Sequence, residues 1–407
     1  MAVRYTKNIS YLLFSWLLLY TPSNLTFATS PKGNRTGNDK VNAASATSTT
    51  SDYILQTTSA QIGDYYERRH DNKRDGFNGC VLVAKDGVPI YQGAFGYGNF
   101  TSKDTLTTQS SFQLASTSKT FTSAAILHLV EEGKLSLDDD LEKFFPGFPF
   151  KGVTVKMLLT HRSALPEYIH WSVKYVGKSK NPVSFNNQSL LEVMMRMKPP
   201  KRFHPDKVFK YTNTNFALLG CIIEKVSGQS YKQYMQENIF GPLGMANTFV
   251  FSMDDSSSHR GASCYLNRWQ EWTLNFSDGV VGDKGVYSSV EDLLKWDNAL
   301  KQGKIISLPM QREAYSPHSL DRLSFRDKSR NYGYGWHIQV LKDRTYTVYH
   351  NGNWHGCNNV FSRDLTDGYT IIVLSNKANN RNYHYAPVLN ILEQMKNAQN
   401  MAAVQQQ

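Results

Sequence analysis

The spacing of apolar residues changes character several times along the chain. Arg4 and Lys7 precede the unbroken apolar run Tyr11–Tyr20, and the small residues Ala28, Thr29 and Ser30 follow it. That run is too short to span a bilayer comfortably, so residues 1–30 read as a cleavable secretory signal and not as a permanent anchor. Residues 31–51 carry almost no large apolar side chain and cannot offset the entropy of ordering, so a disordered linker is expected over 31–58. Helical spacing through Ile62, Tyr65 and Tyr66 gives way to two strands, Cys80–Ala84 and Pro89–Phe95, around Asp86-Gly87, a two-residue hairpin signal. Apolar residues at Phe121, Ala125 and Leu129, with Ile126 and Val130, wrap most of a helix that Gly133 is placed to end, which predicts burial on nearly all sides. Residues 155–300 then read mainly as helices punctuated by Pro and Gly.

From Tyr334 the period shortens to that of strands, with turns at Lys342-Asp343 and Asp367-Gly368. A last helix is expected from Tyr385 to Met395, and 396–407 reads as a frayed tail. Strands at both chain ends with helices between them predict an α+β protein. Its antiparallel sheet, flanked by N- and C-terminal helices, draws on about 59–154 and 285–395, and an all-helical part on about 155–284, within one catalytic domain over 59–395.

Composition narrows the class without naming it. The 407 residues are 40% hydrophobic and 19% charged, enough for one large or two medium cores. Lys and Arg outnumber Asp and Glu by 45 to 34, for a net charge of +11, yet they are scattered and no nucleic-acid-binding signature accompanies them. Cys80, Cys221, Cys264 and Cys357 are widely spaced, and three have apolar flanks, so they read as buried fillers and not as a disulfide framework. None of the 11 histidines falls in a metal-ligand spacing, and no metal or organic cofactor is implied.

Three short segments could carry chemistry. Ser116-Thr117-Ser118-Lys119 sets a hydroxyl and an amine on one helix face at the start of the buried helix. A desolvated amine has a lowered pKa and can take the proton that keeps a serine hydroxyl unreactive. The plain alternative is Ser116 as a helix cap with Lys119 in water. Tyr211-Thr212-Asn213 follows a Pro-containing loop and opens an apolar helix, where a tyrosine beside Ser116 and Lys119 could pass protons if nearby positive charge lowers its pKa. Otherwise Tyr211 is a loop tyrosine and Asn213 a cap. His350-Asn351-Gly352 ends a strand, and its glycine would let a substrate approach the backbone; a strand-end histidine and a plain turn explain it equally well.

Together with FQLASTSKTFTSAAILHLVEEGKL, MLLTHRSALPEY, GDKGVYSSVEDLLKWDNAL and YGYGWHI, these segments resemble the serine β-lactamase superfamily, which includes penicillin-binding proteins, D-Ala-D-Ala carboxypeptidases and related esterases. The resemblance covers about residues 60 to 395 and implies a β-lactamase/transpeptidase-like fold with its site between the sheet and the helical part. It further implies Ser116 as nucleophile, Lys119 as its activating neighbour and Tyr211 as acid/base. Asn213 would orient Lys119 and the substrate, and the backbone N–H groups of Ser116 and Asn353 would form an oxyanion hole.

The tyrosine pattern resembles class C and requires no separate glutamate base. Where penicillin-recognising members carry K-T-G, this chain has His350-Asn351-Gly352, and histidine is not a constant cation. If its imidazolium held a substrate carboxylate, kcat/KM would fall as pH rises through roughly 6 to 7. Asp206 is a second departure, in a loop where glycine is common. The expected activity is cleavage of an ester or a D-amino-acid-type peptide or amide, cell-wall peptide included, in the periplasm or outside the cell. A true class C-like β-lactamase and a non-catalytic member that binds cell-wall peptide or a partner protein are the rival readings.

Overall fold

The computed structural model describes residues 38–405 except 75, 177–184, 201–202, 254–260, 267–269, 320–329 and 341–343. The chain divides after Ser48, and the architecture described here belongs to Thr49–Gln407. Residues 1–30 and the expected turn at Lys342-Asp343 lie outside the described residues. Five helices matter most: α1 (Asn38–Asp71), α2 (Ser118–Glu131), α3 (Asn213–Ser227), α4 (Val290–Lys301) and α5 (Ala386–Val404).

A tight turn starts the sheet. Asp86 and Gly87 have φ of 50° and 85°, the left-handed pair that matches strand twist in a two-residue hairpin, and they join β1 (Gly79–Lys85) to β2 (Val88–Phe95). The C-terminal part supplies β3 (Arg330–Tyr332), β4 (His337–Val340), β5 (Tyr346–Trp354), β6 (Cys357–Asp364) and β7 (Tyr369–Ser375). All pair antiparallel in the order β2-β1-β7-β6-β5-β4-β3, so β1 and β7 carry the junction between the two chain ends. This is the α+β architecture that the alternation of the two ends predicts.

The central strands bury both faces, which explains their nearly continuous apolar sequences. Cys80, Leu82 and Ala84 of β1 face the larger core with Ile372 and Leu374 of β7, while Val81, Val83, Ile371 and Val373 face the opposite way. There they pack with Ile62 and Tyr66 of α1 and with Val388 and Leu392 of α5. A one-residue slip would exchange the two sets, so core shape holds the register.

On the other face, α4 is joined to the sheet by a buried ion pair. Arg363 Nε of β6 meets Asp297 Oδ1 of α4 at 2.6 Å, Lys301 reaches the other carboxylate oxygen at 2.9 Å, and Tyr315 accepts from Arg363. Asp297→Ala would leave the buried guanidinium without its counter-charge and is expected to cost about 3–5 kcal/mol. Urea unfolding of the variant measures this, and a loss under about 1 kcal/mol would reject the pair as a structural element.

Helix α3 and the shorter helices Val155–Leu159, Tyr168–Val176 and Asn187–Met197 form the helical part. A small sheet of Phe112–Gln113, Val286–Ser288 and Phe249–Val250 meets the start of α2, where the Val286 N–H donates to Ser118 Oγ. Among the described residues no helix is long and apolar enough to cross a membrane.

Three expectations need correction. Helix α1 occupies residues given to the linker, because Ile54 joins Ile62 and Tyr66 on the face packed against the sheet. Helix α5 continues to Val404, beyond the expected end at Met395; continued helical hydrogen bonding, not burial, carries it through the polar tail. Cys264 and Cys357 form a disulfide across a sequence separation of 93, while Cys80 and Cys221 are free and buried as expected. The fold sets the loop bearing Cys264 under the β5–β6 turn, where a side chain at Gly356 would meet the Tyr265 carbonyl; no spacing rule gives that proximity.

Candidate active site

The chain reaches Ser116 through a strained step. Ala115 takes a φ of 51° in spite of its side chain, a conformation costing on the order of 1 kcal/mol, and its N–H is held by Gln113 Oε1. Residues Ala115–Thr117 then make one tight helical turn that leads into α2. Ser116 caps nothing: the residue before α2 is Thr117, and no side chain caps there. Instead, Ser116 Oγ accepts from Lys119 Nζ at 2.9 Å, one turn further on.

Lys119 is fully buried, which excludes the solvated alternative. Its amine also donates to Asn213 Oδ1 and to the Asp283 carbonyl, each at 2.8 Å. Burial pushes its pKa down to about 8, against the opposing pull of Asp283 and Glu167. Near neutral pH a useful fraction of this amine is therefore unprotonated.

Tyr211 precedes α3, with its ring 4.2 Å from that of His161 and its phenol hydrogen-bonded to Ser116. Its pKa moves opposite to the sequence expectation. Desolvation pushes it well up, and Asp283 and Glu167 add to this, while the Ser116 hydrogen bond opposes it. The phenol thus stays protonated and serves as a donor. Asn213 is the first residue of α3 and not its cap; its backbone N–H and side-chain Nδ2 both donate to Glu167 Oε2, at 2.8 and 3.2 Å.

His350, Asn351, Gly352 and Asn353 lie on β5 and, with Ser116, Tyr211, His337 and Tyr383, line an opening of about 350 Å³. The structure therefore brings every residue singled out in the sequence to one place, Lys119 and Asn213 being joined to it by hydrogen bonds. Two roles change. Burial, and then the charge of Lys119, push the His350 pKa down to about 3, so an imidazolium for a substrate carboxylate is absent and the expected fall in activity through pH 6 to 7 loses its basis. Its nitrogens face the Asn351 carbonyl and the Tyr332 hydroxyl. Gly352 makes room for protein, not substrate: a side chain there would meet the Leu114 carbonyl at 2.1 Å, just ahead of the Ser116 turn. Asp206, the other departure, has a φ of 61° and accepts from Arg162 at 2.6 Å, so it joins two loops while holding a conformation glycine favours.

Sequence reading passed over Glu167, Asp283, His337 and Tyr383. Glu167 and Asp283 sit inside the segments MLLTHRSALPEY and GDKGVYSSVEDLLKWDNAL, but nothing in those strings shows which atoms they would meet. Tyr383 donates to the Gly352 carbonyl at 2.8 Å and comes from the turn before α5. A separate cavity of about 400 Å³, walled by Phe251, Trp272, Tyr287 and Trp354, contains none of the candidate residues.

Residues 66–394 match the family described as Beta-lactamase. Penicillin-binding protein 4* of Bacillus subtilis (strain 168) is 34% identical over 346 residues, which span 82% of this chain and 73% of that protein. The crystal structure of a penicillin-binding protein from Bacillus halodurans aligns with a TM-score of 0.67 at 26% identity, covering 78% of this chain and 96% of the other. The D-amino acid amidase from Ochrobactrum anthropi SV3 shares the fold, with a TM-score of 0.65 at 23% identity over 85% of this chain and 99% of its own. Alike in fold to these proteins and matched across most of its length, the chain belongs to the Beta-lactamase family and is a serine hydrolase.

Proposed function

We propose that this protein cleaves an ester or a D-amino-acid-type amide or peptide through an acyl-enzyme on Ser116. The observation that carries the reading is the buried Lys119 amine at 2.9 Å from Ser116 Oγ. A neutral amine has two N–H bonds and one lone pair. Asn213 Oδ1 and the Asp283 carbonyl take the two N–H bonds, which turns the lone pair toward the serine hydroxyl. As Oγ bonds to the substrate carbonyl carbon, its proton passes to Lys119, and the developing oxyanion rests on the N–H groups of Ser116 and Asn353. When the carbon–leaving-group bond breaks, the Tyr211 phenol protonates the departing oxygen or nitrogen, and the proton on Lys119 restores the phenol. Water then enters by the reverse path, giving its proton back through the same groups and freeing Ser116 with the acid product.

The buried neutral state of His350 favours substrates without a carboxylate beside the scissile bond, and so favours esters and amides over β-lactams and free-acid peptides. Asn351 Oδ1, buried and without a hydrogen-bond partner among the described residues, is suited to a substrate amide N–H. Secretion is part of the proposal; the Cys264–Cys357 bond supports it, since disulfides persist in oxidising compartments. That a similar protein is named for binding penicillin supports acylation by β-lactams, slow or fast.

A panel of p-nitrophenyl esters, D-amino-acid amides, D-Ala-D-Ala peptides and nitrocefin tests the reading. Uncharged leaving groups are expected to exceed their carboxylate-bearing counterparts in kcat/KM by about 10-fold or more, the worth of a missing charged hydrogen bond. Nitrocefin turned over faster than every ester and amide would reverse the assignment toward a β-lactamase.

A further inference from the structure

We infer that Glu167 is a positioning residue of this site: its carboxylate orients the Asn213 amide so that the oxygen, not the nitrogen, faces Lys119. The inference rests on the roles proposed above for Ser116 and Lys119. A carboxylate only accepts hydrogen bonds. Glu167 Oε2 receives both the backbone N–H and Nδ2 of Asn213, and Oε1 receives the Ile169 N–H at 3.3 Å at the start of its own helix. With Nδ2 committed there, Oδ1 points the other way and lies 2.8 Å from Lys119 Nζ.

The segment carrying Glu167 is itself fastened to α3. Thr214 Oγ1 donates to the Pro166 carbonyl at 2.6 Å and accepts from the Tyr168 N–H at 2.8 Å, so the carboxylate cannot drift from the helix start it serves. Were the amide reversed, Nδ2 would confront the amine. A neutral lysine would then turn its lone pair to Asn213 and present an N–H to Ser116, the wrong polarity for taking a proton. Glu167 thus decides where the lone pair of the base is aimed, without touching substrate.

Glu167 also acts through its charge. The groups facing Lys119 are Glu167 from the loop before its helix, Asp283 and Lys284 from the loop before Val286, Tyr211 from the approach to α3, His350 from β5 and Ser116 itself. Burial lowers the amine's pKa, and Asp283 and Glu167 raise it against that pull. Removing one anion therefore lowers the pKa of Lys119 further and extends its neutral form to more acidic pH.

The test uses the full chain and a p-nitrophenyl ester, after fluorophosphonate labelling of wild type has been mapped to Ser116. Glu167→Gln is expected to reduce the plateau of kcat about 10- to 100-fold with KM changed by no more than about 2-fold, and to move the acid limb of the kcat/KM profile to lower pH. Glu167→Asp keeps the charge with one methylene less reach; its acid limb stays at the wild-type pH while kcat falls by an intermediate factor. An unchanged plateau in Glu167→Gln, an acid limb that stays or rises, or wild-type kcat in Glu167→Asp overturns the inference. If Glu167→Gln does not fold, Glu167→Asp alone decides. A wild type that is not labelled at Ser116 overturns the functional reading, and this inference with it.

Discussion

Replacing Ser116 with alanine is expected to remove the covalent adduct with a fluorophosphonate or β-lactam probe and to lower ester kcat/KM by roughly 10⁵–10⁶-fold, the scale seen when the nucleophile of a serine hydrolase is deleted. Among the described residues, no neighbouring hydroxyl is placed to substitute. Thr117 Oγ1 donates to the His350 carbonyl at 3.2 Å, and Ser118 Oγ is buried and accepts from the Val286 N–H. The phenols of Tyr211 and Tyr383 are pushed toward their protonated forms by burial and are poor nucleophiles. Because Ser116 does not cap α2, the fold should lose less than about 1 kcal/mol, which separates lost chemistry from lost structure. Intact-mass spectrometry and a thermal melt read both quantities. An adduct that survives in Ser116→Ala, or maps to another serine, would remove the assignment.

The second largest effect belongs to Lys119. Lys119→Met keeps the length and apolar stem but deletes the base, so kcat/KM should fall by about 10²–10⁴-fold, the usual worth of a positioned proton acceptor. Wild-type activity should have a distinct pH dependence. Only the unprotonated amine has a lone pair, and burial lowers the pKa of Lys119 to about 8, so activity should rise with pH through that value and level off above it. Protonation below it removes the base. In Lys119→Met the residual activity should not follow this limb. A kcat/KM series between about pH 6 and 10 checks both, and a wild-type profile flat around pH 8 would exclude Lys119 as the proton acceptor.

Elements whose cause is local were legible in the sequence. Asp86-Gly87 makes its hairpin because only a few residues accept two successive left-handed conformations. The helix after Ser116 is buried on almost every side because apolar residues wrap most of it and the buried hydroxyls of Thr120, Thr122 and Ser123 find carbonyl acceptors. Features that depend on distant chain were misread or missed. Residues before Ser59 look like a linker until Ile54, Ile62 and Tyr66 find the outer face of the sheet. Tyr211 could pass protons if nearby positive charge lowered its pKa, but loss of water raises that pKa instead and the Asp283 and Glu167 carboxylates add to the rise.

By itself, the sequence determined which groups stand one helical turn apart: Ser116 and Lys119 share a helix face because backbone geometry alone puts i and i+3 together. It also determined the turns at Asp86-Gly87 and Asp367-Gly368. Tertiary structure decided how those groups behave. Lys119 is a usable base because Asn213 and Asp283, far away in the chain, supply acceptors in a place without water; His350 is neutral for the same lack of water; and Cys264 meets Cys357 because a loop docks under a strand turn. Protonation state and reactivity follow from solvation and from neighbours in space, and only folding specifies these.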